Sequence, residues 1–323
     1  MIDRRTFVGA LAAGALVAVP RIAKAQQTRL IGILTAGAIP RIAPPAFVAE
    51  LRERGWVEGQ NLVIERRGGD GNSERVPALA SELVQMKPDV IVSFGAVAGV
   101  AIRKATATIP IVATTGDPVR LGLVSNLSHP GGNITGLSLI APELAAKRLE
   151  LIRELLPKAT LIGELVDPAN PYCQRVRPDY EQTFRAMRLR PPFVDVPSPS
   201  QIEKGIAQIA GQRADALVIR GDPMFFSNRE RISHLAVQYS LPTIGEERRI
   251  AEAGMLMSYG PDIPAVDRII ARYIDRILRG AKPGDLAIAQ PTKFEFVING
   301  STAKALGLTI PQSLLLRADE VIQ

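Results

Sequence analysis

Chemistry-bearing side chains are scarce in this chain. Its 323 residues include one cysteine, two histidines and one tryptophan, and aromatic residues make up 5%. The lone Cys173 has no thiol to pair with inside the chain, so packing and not a disulfide must stabilise the fold. His129 lies in the turn-forming run His129-Pro130-Gly131-Gly132, and His234 lies within a helical pattern at 228–239. Neither has a nucleophile signature beside it. The sequence contains no Gly-x-Ser-x-Gly elbow, no Walker P-loop and no His-Glu-x-x-His. Catalysis needs a nucleophile with a base, or a metal cluster, so no catalytic residue, metal or cofactor is expected. Paired carboxylates such as Glu246-Glu247 leave a secreted enzyme as an alternative, but such pairs are too common to be specific.

One-signed charge and long apolar runs are also lacking. The formal net charge is +7, and the first 25 residues carry +3 of it, leaving about +4 elsewhere. No basic run is interleaved with aromatics, which argues against a nucleic-acid partner. Past the N-terminus no segment is apolar enough to cross a bilayer.

The N-terminus reads as an export signal. Arg4-Arg5 precedes an apolar run over 8–19, and Ala23-Lys24-Ala25 offers a small-x-small cleavage site. Paired arginines favour the twin-arginine route, so residues 1–25 are expected to be a cleaved Tat-type signal and the mature protein periplasmic. No cysteine follows the cleavage site, which predicts a free and not a lipid-anchored protein. The signal also stands where a DNA-binding helix-turn-helix would lie, which sets aside a transcriptional regulator.

The remainder alternates short apolar runs with amphipathic helical patterns. Residues 30–34, 62–64, 90–94 and 109–113 read as buried strands. Val76, Leu79, Ala80, Leu83 and Val84 recur at helical spacing between them. A second series begins near Gly136, with strands at 161–166, 216–219 and 242–244. A short strand over 193–196 sits among prolines, and another is read over 293–299. Val266, Ile269, Ile270, Tyr273, Ile274, Ile277 and Leu278 form one broad helical stripe that Gly280 stops. Such alternation implies an α/β protein with two parallel-sheet lobes, doubly wound, with a cleft between them.

Asp-Pro occurs three times just past a strand: Asp117-Pro118, Asp167-Pro168 and Asp222-Pro223. Asp is a good N-cap and Pro suits the first helical position, so capping explains each copy separately. Position offers a second role, because ligands of open α/β sheets bind outside the carboxyl ends of strands. Gly37 and the run Ser93-Phe94-Gly95-Ala96 also follow strands, and small residues there allow close approach of a ligand. A carboxylate is expected at Ser93, Gly95 and Ala96, where a helix opens with free N–H groups. Thr115 and Asp117 are expected to complete that wall. Asp167, Asn170 and Asp222 are expected to reach from the second lobe, one Asp pairing any ammonium group. Glu246, after the 242–244 strand, joins them. Phe94, Phe225, Phe226 and Tyr259 read as core before stacking surfaces, and Trp56 as packing.

Several stretches together resemble the ABC-transporter substrate-binding protein family whose members include tryptophan-binding lipoproteins. They are the runs 55–65 (GWVEGQNLVIE), 87–92 (KPDVIV), 130–137 (PGGNITGL), 257–262 (MSYGPD), 290–299 (QPTKFEFVIN) and 303–311 (AKALGLTIP). The segment 172–192 departs from that family's pattern. The resemblance implies a type I periplasmic binding-protein fold with three crossovers between lobes. On that basis 26–138 with 262–290 is expected as one lobe and 139–261 with 291–323 as the other. The resemblance further implies an ABC permease in the inner membrane and a cytoplasmic ATPase as partners, and it favours an amino acid or aromatic acid as ligand; the protein is expected to be a monomer. A sensory ligand-binding protein is the alternative that these features leave open.

Overall fold

The computed structural model describes residues 28–38, 44–139 and 141–323. The expected signal at 1–25 lies outside the described residues. In chain order the first part runs β1 (Arg29–Thr35), α1 (Pro45–Glu53), β2 (Leu62–Gly68), α2 (Val76–Gln85), β3 (Val90–Phe94), α3 (Ala96–Ala105), β4 (Ile111–Thr115) and β5 (Ile134–Ser138). The chain continues with α4 (Ala141–Leu155), β6 (Ile162–Val166), α5 (Pro171–Ala186), β7 (Phe193–Asp195), α6 (Ile202–Gly211), β8 (Ala216–Val218), α7 (Pro223–Ser227), α8 (Arg229–Gln238), β9 (Thr243–Gly245), α9 (Arg248–Glu252) and β10 (Met257–Pro261). It ends with α10 (Ile263–Leu278), β11 (Phe294–Asn299), α11 (Gly300–Ala305), α12 (Gln312–Leu315) and β12 (Glu320–Ile322).

Two sheets result. The first has the order β2-β1-β3-β4-β5, the second β12-β11-β10-β9-β8-β6-β7. Every neighbouring pair is parallel except β10 with β11. Parallel strands buried on both faces need continuous apolar runs, and β3 and β4 supply them with Ile91, Val92, Ile111 and Val112 at 0% exposure.

The antiparallel pair follows from the chain path. After Pro261 the chain leaves the second sheet, and α10 packs on α1 of the first. Its apolar face, with Val266, Ile270, Ile274 and Leu278, joins Phe47, Leu51 and Trp56 under that sheet. Trp56 Nε1 donates to Asp275 on α10 at 2.9 Å, a packing role as its sequence context implied. The chain touches the first sheet last at Ala289, bonded to Gly136 and Ser138, and re-enters the second as β11. It returns beside the strand by which it left, so the two run in opposite directions. Asp262 N–H donates to the Lys293 carbonyl at 3.0 Å, and Lys293 Nζ pairs with Asp262 at 2.8 Å. With the passage from β5 to α4, three connections join the two sheets.

Each sheet is covered by apolar clusters on both faces. One cluster crosses between the lobes: Tyr172, Val176 and Tyr180 of α5 pack with Ala98, Ala101 and Leu121 of the first lobe. Among the described residues no helix is long and apolar enough to cross a membrane.

Candidate functional site

The strand ends of the two sheets face each other in contact. Gly37, after β1, lies against Pro223 and Ser227 of α7, and the Ala38 N–H donates to Ser227 Oγ at 3.0 Å. After β3, Gly95 lies against Pro223, whose Cγ would be 3.2 Å from a Cβ at that position. After β4, Gly116 lies so close to the Tyr172 ring that a Cβ would come within 2.7 Å of Oη. The two walls differ in kind.

The first-lobe wall is built of backbone and hydroxyls. Gly95 has φ of 85° and is the N-cap of α3, with no side-chain hydrogen bond to the first-turn N–H groups. That positive φ suits glycine, and a cap without a side chain leaves the helix's partial positive charge unmasked. Ser93 (0% exposed) precedes it, and Thr115 (2%) stands at the end of the neighbouring β4. Ser93 pairs in register with Ala113, so by strand alternation Ser93 and Thr115 share a face. Neither hydroxyl has a hydrogen-bond partner among the described residues, and neither has Tyr172 Oη opposite. A buried hydroxyl without a partner costs roughly 1–3 kcal/mol, which a polar ligand would relieve. Ala96 contributes backbone; its methyl group belongs to the core.

The second-lobe wall is ionic. Asp167 (3% exposed) follows β6, and Asp222 (2%) follows β8. Asn170 (3%) links the two loops, its Nδ2 donating to Asp222 Oδ2 at 2.7 Å. Burial, and then the neighbouring Asp222 carboxylate, push the Asp167 carboxyl up to about 6. Asp222 is also pushed up, chiefly by burial, with Asn170 and the Met224 N–H opposing. Behind them Glu164 and Arg220 form an ion pair in full burial. The Arg220 guanidinium lies 4.0 Å from the centroid of the Tyr180 ring. Burial lowers its pKa to about 10, so it keeps its charge at neutral pH. Arg148, 2% exposed, holds Glu246 at 2.8 Å and the Tyr259 carbonyl at 2.8 Å. This wall therefore places two guanidinium groups against four carboxyls and is suited to a cation.

Several expectations need correction. Of the three Asp-Pro copies only Asp222 is a helix N-cap, accepting from the Met224 N–H at 2.7 Å. Asp167 instead accepts from Ala169 N–H at 2.8 Å, and Asn170 caps α5, accepting from Tyr172 N–H at 3.0 Å. A second proline, Pro171, opens that helix and so moves its start beyond the first. Asp117 closes a turn through the Arg120 N–H at 2.9 Å. It sits at the rim, where Arg120 pairs with Asp179 of α5 and accepts a bond from Arg175 at its carbonyl. Glu246 reaches the wall already paired with Arg148. Phe225 is core (0% exposed), and Phe226 lies under the guanidinium groups of Arg229 and Arg249. Cys173 is buried, which raises its thiol pKa, while His129 and His234 are exposed.

Arg148, Glu164, Arg220 and Tyr172 escaped the sequence reading. Two had a signal. Glu164 interrupts the apolar run 161–166, and Arg148 lies on the same helical stripe as Leu144, Leu151 and Leu155; a charge in either place needs a partner.

The family described as ABC transporter substrate binding protein matches residues 46–322 of the chain. The chain is 27% identical to the tyrosine-binding protein of Clostridioides difficile over 278 residues, which is 82% of this chain and 76% of that protein. Among solved structures, a conserved domain protein from Vibrio cholerae superposes with a TM-score of 0.84 at 28% identity, covering 91% of this chain and all of that one. An ABC domain from Streptococcus pneumonia in complex with L-Trp gives 0.79 at 25% identity, covering 90% and all of that chain. The two-sheet architecture is that of type I periplasmic binding proteins, and the chain belongs to the ABC transporter substrate-binding protein family.

Proposed function

We propose that the protein is the periplasmic receptor of an ABC importer and that it holds a small carboxylate-bearing solute, an amino acid or aromatic acid, between its two walls. The observation that carries this reading is the complementarity of the walls. A helix N-terminus whose cap is a glycine, with buried hydroxyls that have no partner among the described residues, stands opposite a carboxyl-rich network. The first suits a carboxylate and the second an ammonium group, and an α-amino acid carries both. The relative named for tyrosine and the L-Trp-bound neighbour support the same ligand class.

In this reading Ser93, Gly95, Ala96 and Thr115 hold the carboxylate, with Gly37 allowing close approach. Asp167, Asn170 and Asp222 take the ammonium group. Glu246 acts through Arg148, and Asp117 through the rim. Residues 26–138 with 262–290 move as one lobe against 139–261 with 291–323, about the three connections. A ligand touching both lobes favours the closed arrangement by its differential contacts. Export through the twin-arginine signal at 1–25 delivers a monomer to the periplasm, where the closed form meets an inner-membrane permease and its ATPase. Binding involves no chemistry on the ligand. Small-angle scattering with a bound amino acid should show compaction, and chromatography should return the amino acid unchanged. Conversion of the solute in proportion to protein would reject the receptor in favour of an enzyme.

A further inference from the structure

The part of the cleft left for the ligand's side chain already contains a ring. With the carboxylate at the end of β3 and the ammonium group on the second lobe, a side chain has two directions along the sheet edge. Toward β1 the way is closed where Gly37 meets Pro223 and Ser227. Toward β4 it leads to the recess at Gly116, which like Gly37 and Gly95 is a strand-end position without a side chain of its own. Tyr172 fills that recess from across the cleft. Its ring lies on Gly116, it is 7% exposed, and it packs within the first lobe's apolar cluster. Asn170 fixes its backbone and also holds Asp222, so the ring and the acidic wall share one support. Its hydroxyl is buried without a partner among the described residues.

We propose that Tyr172 is a specificity-determining residue: its ring occupies the recess at Gly116 that would otherwise take the ligand's side chain, so the cleft selects an amino acid with a short, non-aromatic side chain. This rests on the cleft reading given above. Protein interiors are close-packed, so a recess already holding one ring cannot take a second. Removal of the ring leaves an apolar space of its own shape, and such spaces bind small aromatic molecules.

The test is calorimetric titration of the full chain and of Tyr172→Ala with L-alanine, L-serine, L-threonine, L-valine, L-phenylalanine and L-tyrosine. A parallel thermal-shift measurement uses phenol. The wild type should bind one of the short amino acids at least tenfold more tightly than either aromatic one. Tyr172→Ala should reverse that order, and phenol should raise the melting temperature of the variant alone. Tyr172→Phe keeps the ring and should keep the wild-type order. Should Tyr172→Ala not fold, Tyr172→Val serves in its place. A wild type that prefers an aromatic amino acid, or an unchanged order in the variant, overturns the proposal and leaves the amino-acid receptor standing. If none of these amino acids binds either protein, the amino-acid reading of the cleft fails, and phenol decides the recess by itself: stabilisation of the variant alone supports a ring-shaped recess, and equal response overturns it.

Discussion

The two walls of the cleft are made by opposite means. The first lobe offers main chain, hydroxyls and a helix end, placed by parallel strands whose own burial fixes them. The second offers side-chain charges, each held by another: Asp222 by Asn170, Glu246 by Arg148, Glu164 by Arg220. A backbone wall is rigid because the sheet is, and single substitutions act on it locally. A charged wall in burial is interdependent, because removal of one partner strands the other in a poor dielectric. The same contrast orders the effects of mutation.

The largest effect should fall on the second wall. Glu164→Gln deprives buried Arg220 of its ion-pair partner and should cost about 3–5 kcal/mol, seen in chemical denaturation and as a fall of about 10 °C in Tm. Its counterpart on the first wall is Thr115→Val. That hydroxyl has no partner to lose among the described residues, so stability should stay within about 0.5 kcal/mol, while affinity for the ligand falls about tenfold. Equal losses of stability in the two variants would erase the distinction between the walls.

Asp167 sharpens it, because here stability and binding should part. Its carboxyl is pushed up by burial to about 6 in the fold from an ordinary value of 3.8. Well below pH 4 both folded and unfolded chains hold the proton. Between pH 4 and 6 the unfolded chain releases it first, so stability falls as pH rises, and the full cost, at most about 3 kcal/mol, is present above pH 6. Asp167→Asn keeps an acceptor for the Ala169 N–H and escapes that cost. The ligand-free variant should therefore melt higher than wild type at pH 7.5 and alike at pH 4, yet bind an amino acid more weakly. A variant that melts lower at pH 7.5 would show that the ionised carboxylate is well paired.

At Gly95, alanine meets φ of 85° and places its Cβ 3.2 Å from Pro223. Gly95→Ala should cost about 1–2 kcal/mol and slow closure, which stopped-flow fluorescence of the ligand complex would register. The smallest effect belongs to the rim. Arg120 and Asp179 are about two-fifths exposed, so Arg120→Ala should change stability by less than about 1 kcal/mol. Its trace should lie in faster ligand release.

These contrasts also mark what the sequence disclosed. Periodicity showed the strands, the long helix α10 and the two-lobe order, since burial on both faces and a single apolar stripe leave local patterns. It showed most of the first wall for the same reason: Gly37 and Gly95 follow strands whose ends are readable, and Ser93 lies near the end of β3. Strand direction at β11 was not readable, because it depends on the chain leaving for the first lobe and coming back. The support of the second wall was hidden as well. Arg220 pairs with Glu164 from a different strand and stacks on Tyr180 from a helix, and no local pattern joins three such residues. Helix starts were misjudged at Asp117 and Asp167, since an Asp-Pro step serves a turn as well as a cap.

The central claim is that the cleft reads both ends of an amino acid, the carboxylate on the backbone wall and the ammonium group on the ionic wall. Its most direct test is calorimetric titration with the tightest-binding L-amino acid beside two analogues, the same molecule without its ammonium group and the same molecule without its carboxylate. Loss of either group should weaken binding at least tenfold, and Asp222→Asn should abolish only the penalty for the missing ammonium group. Equal affinity for all three molecules, or binding of a neutral sugar in place of any of them, would contradict the account.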